Sequence, residues 1–168
     1  MSDHQAVTPR QRPAPRPHAV IVSDDPDLRD FLGQGLLFAG FWTSAIASGL
    51  QAIEVFRLRR FDLILIDAAL GGLPAPEVIR RLRSPAGPDG TPLTSVPIAV
   101  IDAPAAPAER AALLDAGADA FLDPPLDMEA LAADLMTLVL DWRTANPDEP
   151  WADAPLPQSR GPRGDETD

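Results

Sequence analysis

The stretch Phe61-Asp62-Leu63-Ile64-Leu65-Ile66-Asp67 constrains this chain more than any other. Leu63 to Ile66 is a short unbroken apolar run with no polar face. A strand reads this way when helices cover both of its faces, as in a parallel sheet. The run stops at Asp67, and open α/β sheets place their ligand sites in the crevice beyond the carboxyl ends of their strands. A carboxylate there is either a site residue or a cap for the next helix, and one acid does not separate the two.

The rest of the chain repeats the pattern. Ala19 to Val22 is a second apolar run, ending in Ser23-Asp24-Asp25-Pro26. Asp25 is placed to cap a helix with Pro26 in its first turn. Leu28, Phe31, Leu32, Gly35, Leu36 and Phe38 then recur at core spacing as far as Gly40. Phe41 to Ile46 reads as a strand. A helix opened by Ser48-Gly49 turns Leu50, Ile53 and Phe56 inward and Arg57, Arg59 and Arg60 outward. Beyond Asp67, Gly71-Gly72-Leu73-Pro74 is a loop, and Val78, Ile79 and Leu82 predict a short helix with Arg80, Arg81 and Arg83 on its wet side. Ser84 to Thr94 is a Pro/Gly-rich connection. Ile98 to Ile101 is a further buried strand, ending at Asp102. Pro104 to Ala116 predicts an alanine-rich helix closed by Gly117. Ala120 to Leu122 is a fifth strand, followed by Asp123-Pro124-Pro125, and Asp127 caps a last helix running to about Arg143. Strand–helix repeated five times predicts an α/β fold, a doubly wound five-stranded parallel sheet with right-handed crossovers.

Composition bounds what such a domain does. The 168 residues suit one domain over 18–143, with a Pro/Arg-rich arm over 1–17 and an acidic Pro-rich tail over 144–168, both expected to be disordered. A net charge of −11 argues against binding nucleic acid. No apolar run approaches membrane-spanning length and no signal-peptide core is present, so a soluble, cytoplasmic protein is expected. There is no cysteine, and all 14 basic residues are arginine.

Three strands end in acids: Asp24 beside Asp25, Asp67, and Asp102. Neighbouring central strands are expected to deliver them to one pocket, where they repel unless a cation or a shared proton intervenes. Oxygen donors without Cys or His favour a hard ion, Mg²⁺ before Zn²⁺.

Three motifs in order, Val22-Ser23-Asp24-Asp25-Pro26-Asp27-Leu28-Arg29, Phe61 to Asp67, and Ala116-Gly117-Ala118-Asp119-Ala120-Phe121-Leu122, carry a resemblance to a known family. Residues 18–143 resemble the receiver domain of two-component response regulators. The resemblance implies a flavodoxin-like (βα)5 fold in three layers. It also implies Mg²⁺ held by an acidic pair, and an aspartate that accepts a phosphoryl group from a histidine kinase or phosphotransfer protein. A Thr or Ser after the fourth strand, a lysine and a cis proline after the fifth, and an aromatic that rotates with the hydroxyl complete that site. Carried over residue by residue, Asp67 matches the phosphoacceptor and Asp24 the direct metal ligand. Asp67 and the Ala69 carbonyl are further metal ligands, Phe121 is the switch aromatic and Pro125 the cis proline. The departures are Ser23 in place of the second acid, Asp102 in place of the hydroxyl, Pro124 in place of the lysine, and Gly71 in place of a usual proline.

Phosphoryl transfer depends on positioning and charge neutralisation. Without a lysine the metal is the only cation, and an Asp102 carboxylate about 4 Å from a phosphoryl group costs roughly 4 kcal/mol at an effective dielectric near 20. Such a loss slows transfer by several powers of ten. The expectation is an atypical, or pseudo-, receiver in a bacterial two-component or phosphorelay pathway, not an enzyme. It would act as a stand-alone protein-interaction module with weak or no phosphorylation-driven switching. The alternative is a phosphoaccepting single-domain regulator using Asp67. A phosphatase with an aspartyl nucleophile fits less well, for it needs Asp-x-Asp and a lysine.

The last helix offers a partner surface. Leu131, Leu135, Leu138 and Trp142 form one apolar stripe, and Met128, Ala132, Met136 and Val139 a second. One stripe docks a helix on a sheet, so two leave apolar area over. Met128, Ala132, Met136, Val139 and Trp142 are expected to meet a signalling protein or a second copy of the chain; the alternative is that both stripes are core plus its rim. Trp151 stands alone in the tail, either a short anchor or unstructured.

Overall fold

The apolar runs become central strands because every side chain in them meets a helix. The computed structural model describes residues 15–85, 89–104 and 106–152. Its elements alternate: β1 His18–Val22, α1 Pro26–Phe38, β2 Trp42–Ile46, α2 Gly49–Leu58, β3 Leu63–Asp67, α3 Ala75–Arg83, β4 Ile98–Ile101, α4 Pro107–Ala116, β5 Ala120–Leu122 and α5 Met128–Ala145. The strands pair in parallel in the order β2-β1-β3-β4-β5. Period-two alternation splits the core in two. Val20, Val22, Ile64, Ile66, Ile98 and Val100 face α2, α3 and α4, whereas Ala19, Ile21, Leu63, Leu65, Ala99 and Ile101 face α1 and α5. This is the doubly wound parallel sheet that the strand–helix order predicts, in the three-layer, flavodoxin-like form that the resemblance implies. No helix among the described residues is long and apolar enough to cross a membrane.

Helix starts follow local chemistry. The carboxylate of Asp25 accepts the Asp27 N–H at 3.0 Å, Ser48 Oγ accepts the Gln51 N–H at 3.2 Å, and Asp127 accepts the Ala130 N–H at 3.0 Å. Each such cap contributes about 1 kcal/mol. α4 begins at Pro107 rather than Pro104, with the proline at the first helical turn, where its missing N–H goes unneeded. Arg83 closes α3 by donating to the Gly117 and Thr94 carbonyls at 3.2 Å and pairing with Asp119 at 2.8 Å. Burial lowers the Arg83 pKa, and Asp119 opposes that shift.

Several inward assignments are corrected. Phe38 is 92% exposed, and Phe31 and Leu50 are exposed as well. On α1 only Leu32 and Leu36 are buried. Gly35 faces α5 instead: a Cβ there would lie 2.6 Å from the Met128 sulfur, so the absent side chain makes room for Met128. On α5 the buried residues are Leu131, Ala132, Leu135 and Val139. Ala132 and Val139 therefore belong to the core and not to a partner surface, because the sheet is met by a face lying between the two expected stripes. Met128, Met136, Leu138 and Trp142 are its partly buried rim.

Contacts with the sheet and its helices continue past residues 18 and 143. Pro17 accepts the Trp42 N–H at 2.7 Å, and the Arg16 guanidinium lies 4.5 Å from the Trp42 ring centre and donates to the Leu37 carbonyl. The expected disorder of residues 1–14 and 153–168 lies outside the described residues. Residues 146–152, assigned to the tail from sequence, fold back on the sheet. Arg143 lies 5.1 Å from the Trp142 ring and 4.1 Å from the Trp151 ring. It pairs with Asp62, which is buried before β3 and also accepts the N–H groups of His18 at 2.7 Å and Ala152 at 3.0 Å. Removing one partner of a buried ion pair leaves an uncompensated charge. Arg143→Met is expected to lower unfolding free energy by about 3 kcal/mol, read as a shifted midpoint in urea denaturation.

Candidate functional site

Strand register decides what meets at the carboxyl ends. β1 pairs with β3 so that Val22 lies opposite Ile66, and β3 with β4 so that Asp67 lies opposite Ile101. One step beyond Val22, Ser23 falls beside Asp67. Its hydroxyl donates to Asp67 Oδ2 at 2.7 Å and accepts the Asp25 N–H at 3.1 Å. Ser23 and Asp67 are both buried. Asp67 Oδ1 accepts the Ala69 N–H at 2.9 Å, and its carbonyl accepts the Leu70 N–H at 3.2 Å. Both carboxylate oxygens of Asp67 are thus held by neutral donors of this chain.

Asp24 is exposed, and its Oδ2 accepts the Gly71 N–H at 3.1 Å. A Cβ at Gly71 would sit 2.8 Å from that oxygen. A proline would have no N–H to give. The glycine and the position of Asp24 are therefore one feature, which draws the loop after β1 over the loop after β3. Asp24 and Asp67 brace the same five residues, 67–71.

Asp102 does not join them. Its φ is 55°, a left-handed turn that aspartate tolerates better than most residues, and it is exposed. Its N–H goes to the Leu122 carbonyl at 3.3 Å. Among the described residues no three His, Cys, Asp or Glu side chains are placed to hold one metal ion. The expected three-carboxylate metal cluster is therefore not formed among the described residues. What Asp102 removes is a hydroxyl donor.

The arginines whose ion pairs are seen among the described residues are engaged elsewhere. The ion pairs of the described residues join Arg57 to Glu54, Arg80 and Arg81 to Glu77, Arg83 to Asp119, Arg110 to Asp123 and Arg143 to Asp62; none reaches Asp24, Asp67 or Asp102. Arg29, closest in the chain, donates to the Ser23 carbonyl at 2.7 Å.

At the end of β5 the Pro124–Pro125 bond is cis, and Pro124 is exposed. Phe121 is half-buried against the core, with the Arg110 guanidinium 4.9 Å from its ring centre. Arg110 carried no signal beyond being the lone cation of an alanine-rich helix. The Gly71–Asp24 contact had one, the missing proline, without the partner.

The carboxylates of Asp24 and Asp67 with the Ala69 carbonyl are hard oxygen donors of the kind Mg²⁺ takes. Ser23 reduces the charge of that set, and its hydroxyl already occupies Asp67 Oδ2. Ser23→Ala is expected to lower stability by about 1–2 kcal/mol through the unpaired Asp67 oxygen and Asp25 N–H, measured by urea denaturation.

A family model described as the response regulator receiver domain matches residues 19–136. Response regulator MprA of Mycobacterium sp. (strain KMS) is 35% identical over 130 residues, which are 77% of this chain and 52% of the relative. The chain thus spans about half the length of the curated relatives it matches. Among solved structures, the receiver domain of a signal transduction histidine kinase from Syntrophus aciditrophicus is 26% identical with a TM-score of 0.65, covering 74% of this chain and 91% of that one. The receiver domain of a sensor histidine kinase from Pseudomonas aeruginosa, with a magnesium ion coordinated in its active site cleft, is 25% identical with a TM-score of 0.64, covering 74% and 98%.

Proposed function

Because the chain belongs to the response regulator receiver domain family, we propose that it is an atypical receiver, a protein-interaction module of a two-component or phosphorelay pathway in which phosphorylation-driven switching is weak or absent. The observation that carries this reading is the partnership of Asp67: a serine hydroxyl at 2.7 Å and a backbone N–H at 2.9 Å, both neutral donors. A phosphoryl group on Asp67 brings negative charge into a site that supplies neutral donors only, and charge neutralisation is most of what such a site contributes.

Asp24, Asp67 and the Ala69 carbonyl would hold Mg²⁺, and the ion would supply charge neutralisation at the phosphoryl oxygens. The other parts of the usual apparatus are changed on this chain. Pro124 has no ammonium, Asp102 has no hydroxyl, and Phe121 has no polar tip. The reading as a phosphoaccepting regulator keeps one specific support: Asp24 and Asp67 follow or end neighbouring strands, and the Pro124–Pro125 bond is cis.

Receiver domains are signalling modules that meet histidine kinases or phosphotransfer proteins, and we assign this chain a partner of that kind. A homodimer through α5 would rest on Met136 and the exposed Leu140, since Ala132 and Val139 are buried. Met136→Glu is expected to leave the fold intact and to halve the mass of any dimer seen in light scattering; a dimer that persists removes α5 as its interface.

Incubation with acetyl phosphate and Mg²⁺, read by intact mass, is expected to show no stoichiometric phosphoryl adduct on the wild-type chain. Ser23→Asp restores the second acid and is expected to raise Mg²⁺ affinity about tenfold, ~1.4 kcal/mol, by calorimetry. A full adduct on the wild-type chain that vanishes in Asp67→Asn would overturn the reading.

A further inference from the structure

The link between the β4–α4 loop and β5 is made in this chain by a residue outside the phosphoacceptor site. α4 starts without help: Ala106 stands at its N-cap and offers no side-chain hydrogen bond. Its buried residues, Leu113 and Ala116, both lie in its second half. The first turn therefore has no apolar anchor of its own. Arg110 provides a polar one. Its Nε donates to the Pro104 carbonyl at 3.0 Å, in the loop between β4 and α4. Its Nη2 pairs with Asp123, the residue that follows β5 and precedes Pro124. The face of the guanidinium lies 4.9 Å from the centre of the Phe121 ring, on β5 itself. One side chain thus touches three separate segments.

We propose that Arg110 is a positioning residue that fixes Phe121 and Pro104 in a single arrangement independent of Asp67. The inference rests on the reading of this chain as an atypical receiver and names the device that replaces switching. None of the three contacts involves Ser23, Asp24, Asp67 or Asp102. Asp102 is exposed and has no hydroxyl, and Phe121 has none either, so neither side chain supplies the hydroxyl link between the phosphoacceptor and the aromatic that the family uses. The chemistry also requires arginine. A guanidinium donates from Nε and Nη2 in one plane while its face covers a ring. A lysine at 110 could keep a charge near the ring and near Asp123, but it could not make the forked contact to the carbonyl as well. The Arg110 side chain is 29% exposed and Asp123 56%, so the ion pair alone would hold little; the three contacts act together.

The test uses the full chain. Amide hydrogen exchange is measured for residues 103–110 and 120–123, with β1 and β3 amides as an internal control of folding, and three-bond couplings report the Phe121 side-chain rotamer. In the wild-type chain Phe121 is expected in one rotamer. Arg110→Gln is expected to speed exchange about tenfold in those segments alone and to average the Phe121 rotamer. Arg110→Lys is expected to keep the single rotamer while exchange near Pro104 rises, because charge returns without the fork. Asp123→Asn, which spares the helix, is expected to speed exchange by about threefold. Exchange within twofold of wild type in both Arg110→Gln and Asp123→Asn, with Phe121 unmoved, overturns the proposal. All of this is read without phosphate. Phosphorylation of Asp67 in the mass assay would overturn the proposed function while leaving this result standing, and a null result here leaves that assay untouched.

Discussion

The in-register pairing of β1 with β3 is the constraint from which the rest follows. It sets Val22 against Ile66, so that the first residue past each buried run must share one small space. That space holds a serine and an aspartate, joined at 2.7 Å. The strands cannot slip to relieve or improve this contact, because a shift of one residue would turn every apolar side chain of both runs toward the wrong layer. The chemistry at the strand ends is thus dictated by the packing of Leu63 to Ile66, and a change in function has to come from the identity of the residue at 23 rather than from its position.

The two ends of the sheet are built on different principles. At the carboxyl ends, acids accept backbone N–H groups from short loops: Asp67 from Ala69, Asp24 from Gly71, Asp25 from Asp27. At the amino ends, a carboxylate is buried with a cation. Asp62 meets Arg143, and two tryptophans enclose the guanidinium. Asp62 is buried with a cation, whereas Asp67, buried as well, is held by the Ser23 hydroxyl and a backbone N–H.

The strands were legible because burial on both faces leaves an unmistakable run of apolar residues, and the caps at Asp25 and Asp127 were legible because their effect is local. Phe31 and Phe38 misled because helical spacing fixes which residues share a face but not which face meets the sheet. Gly35, which admits Met128, settles that question, and its meaning appears only once α5 is in place. The site divided in the same way. Asp24 and Asp67 could be placed at strand ends by counting along strands, whereas the cis Pro125 came from the resemblance alone. Asp102 could not, since the sign of its φ decides whether an acid at a strand end joins its neighbours, and aspartate is compatible with either. Residues 146–152 read as tail because a Trp in an acidic stretch has no periodicity; only its stacking on Arg143 assigns it to the fold.

Asp62 and its neighbours also fix how this domain is hung. Pro17 and Ala152 both lie beside the amino ends of the strands, the first through Trp42 and the second through Asp62 itself. Asp67 lies at the opposite pole. Pro17 and Ala152 thus share the pole of the buried ion pair, and neither of them occupies the pole at which Ser23 meets Asp67.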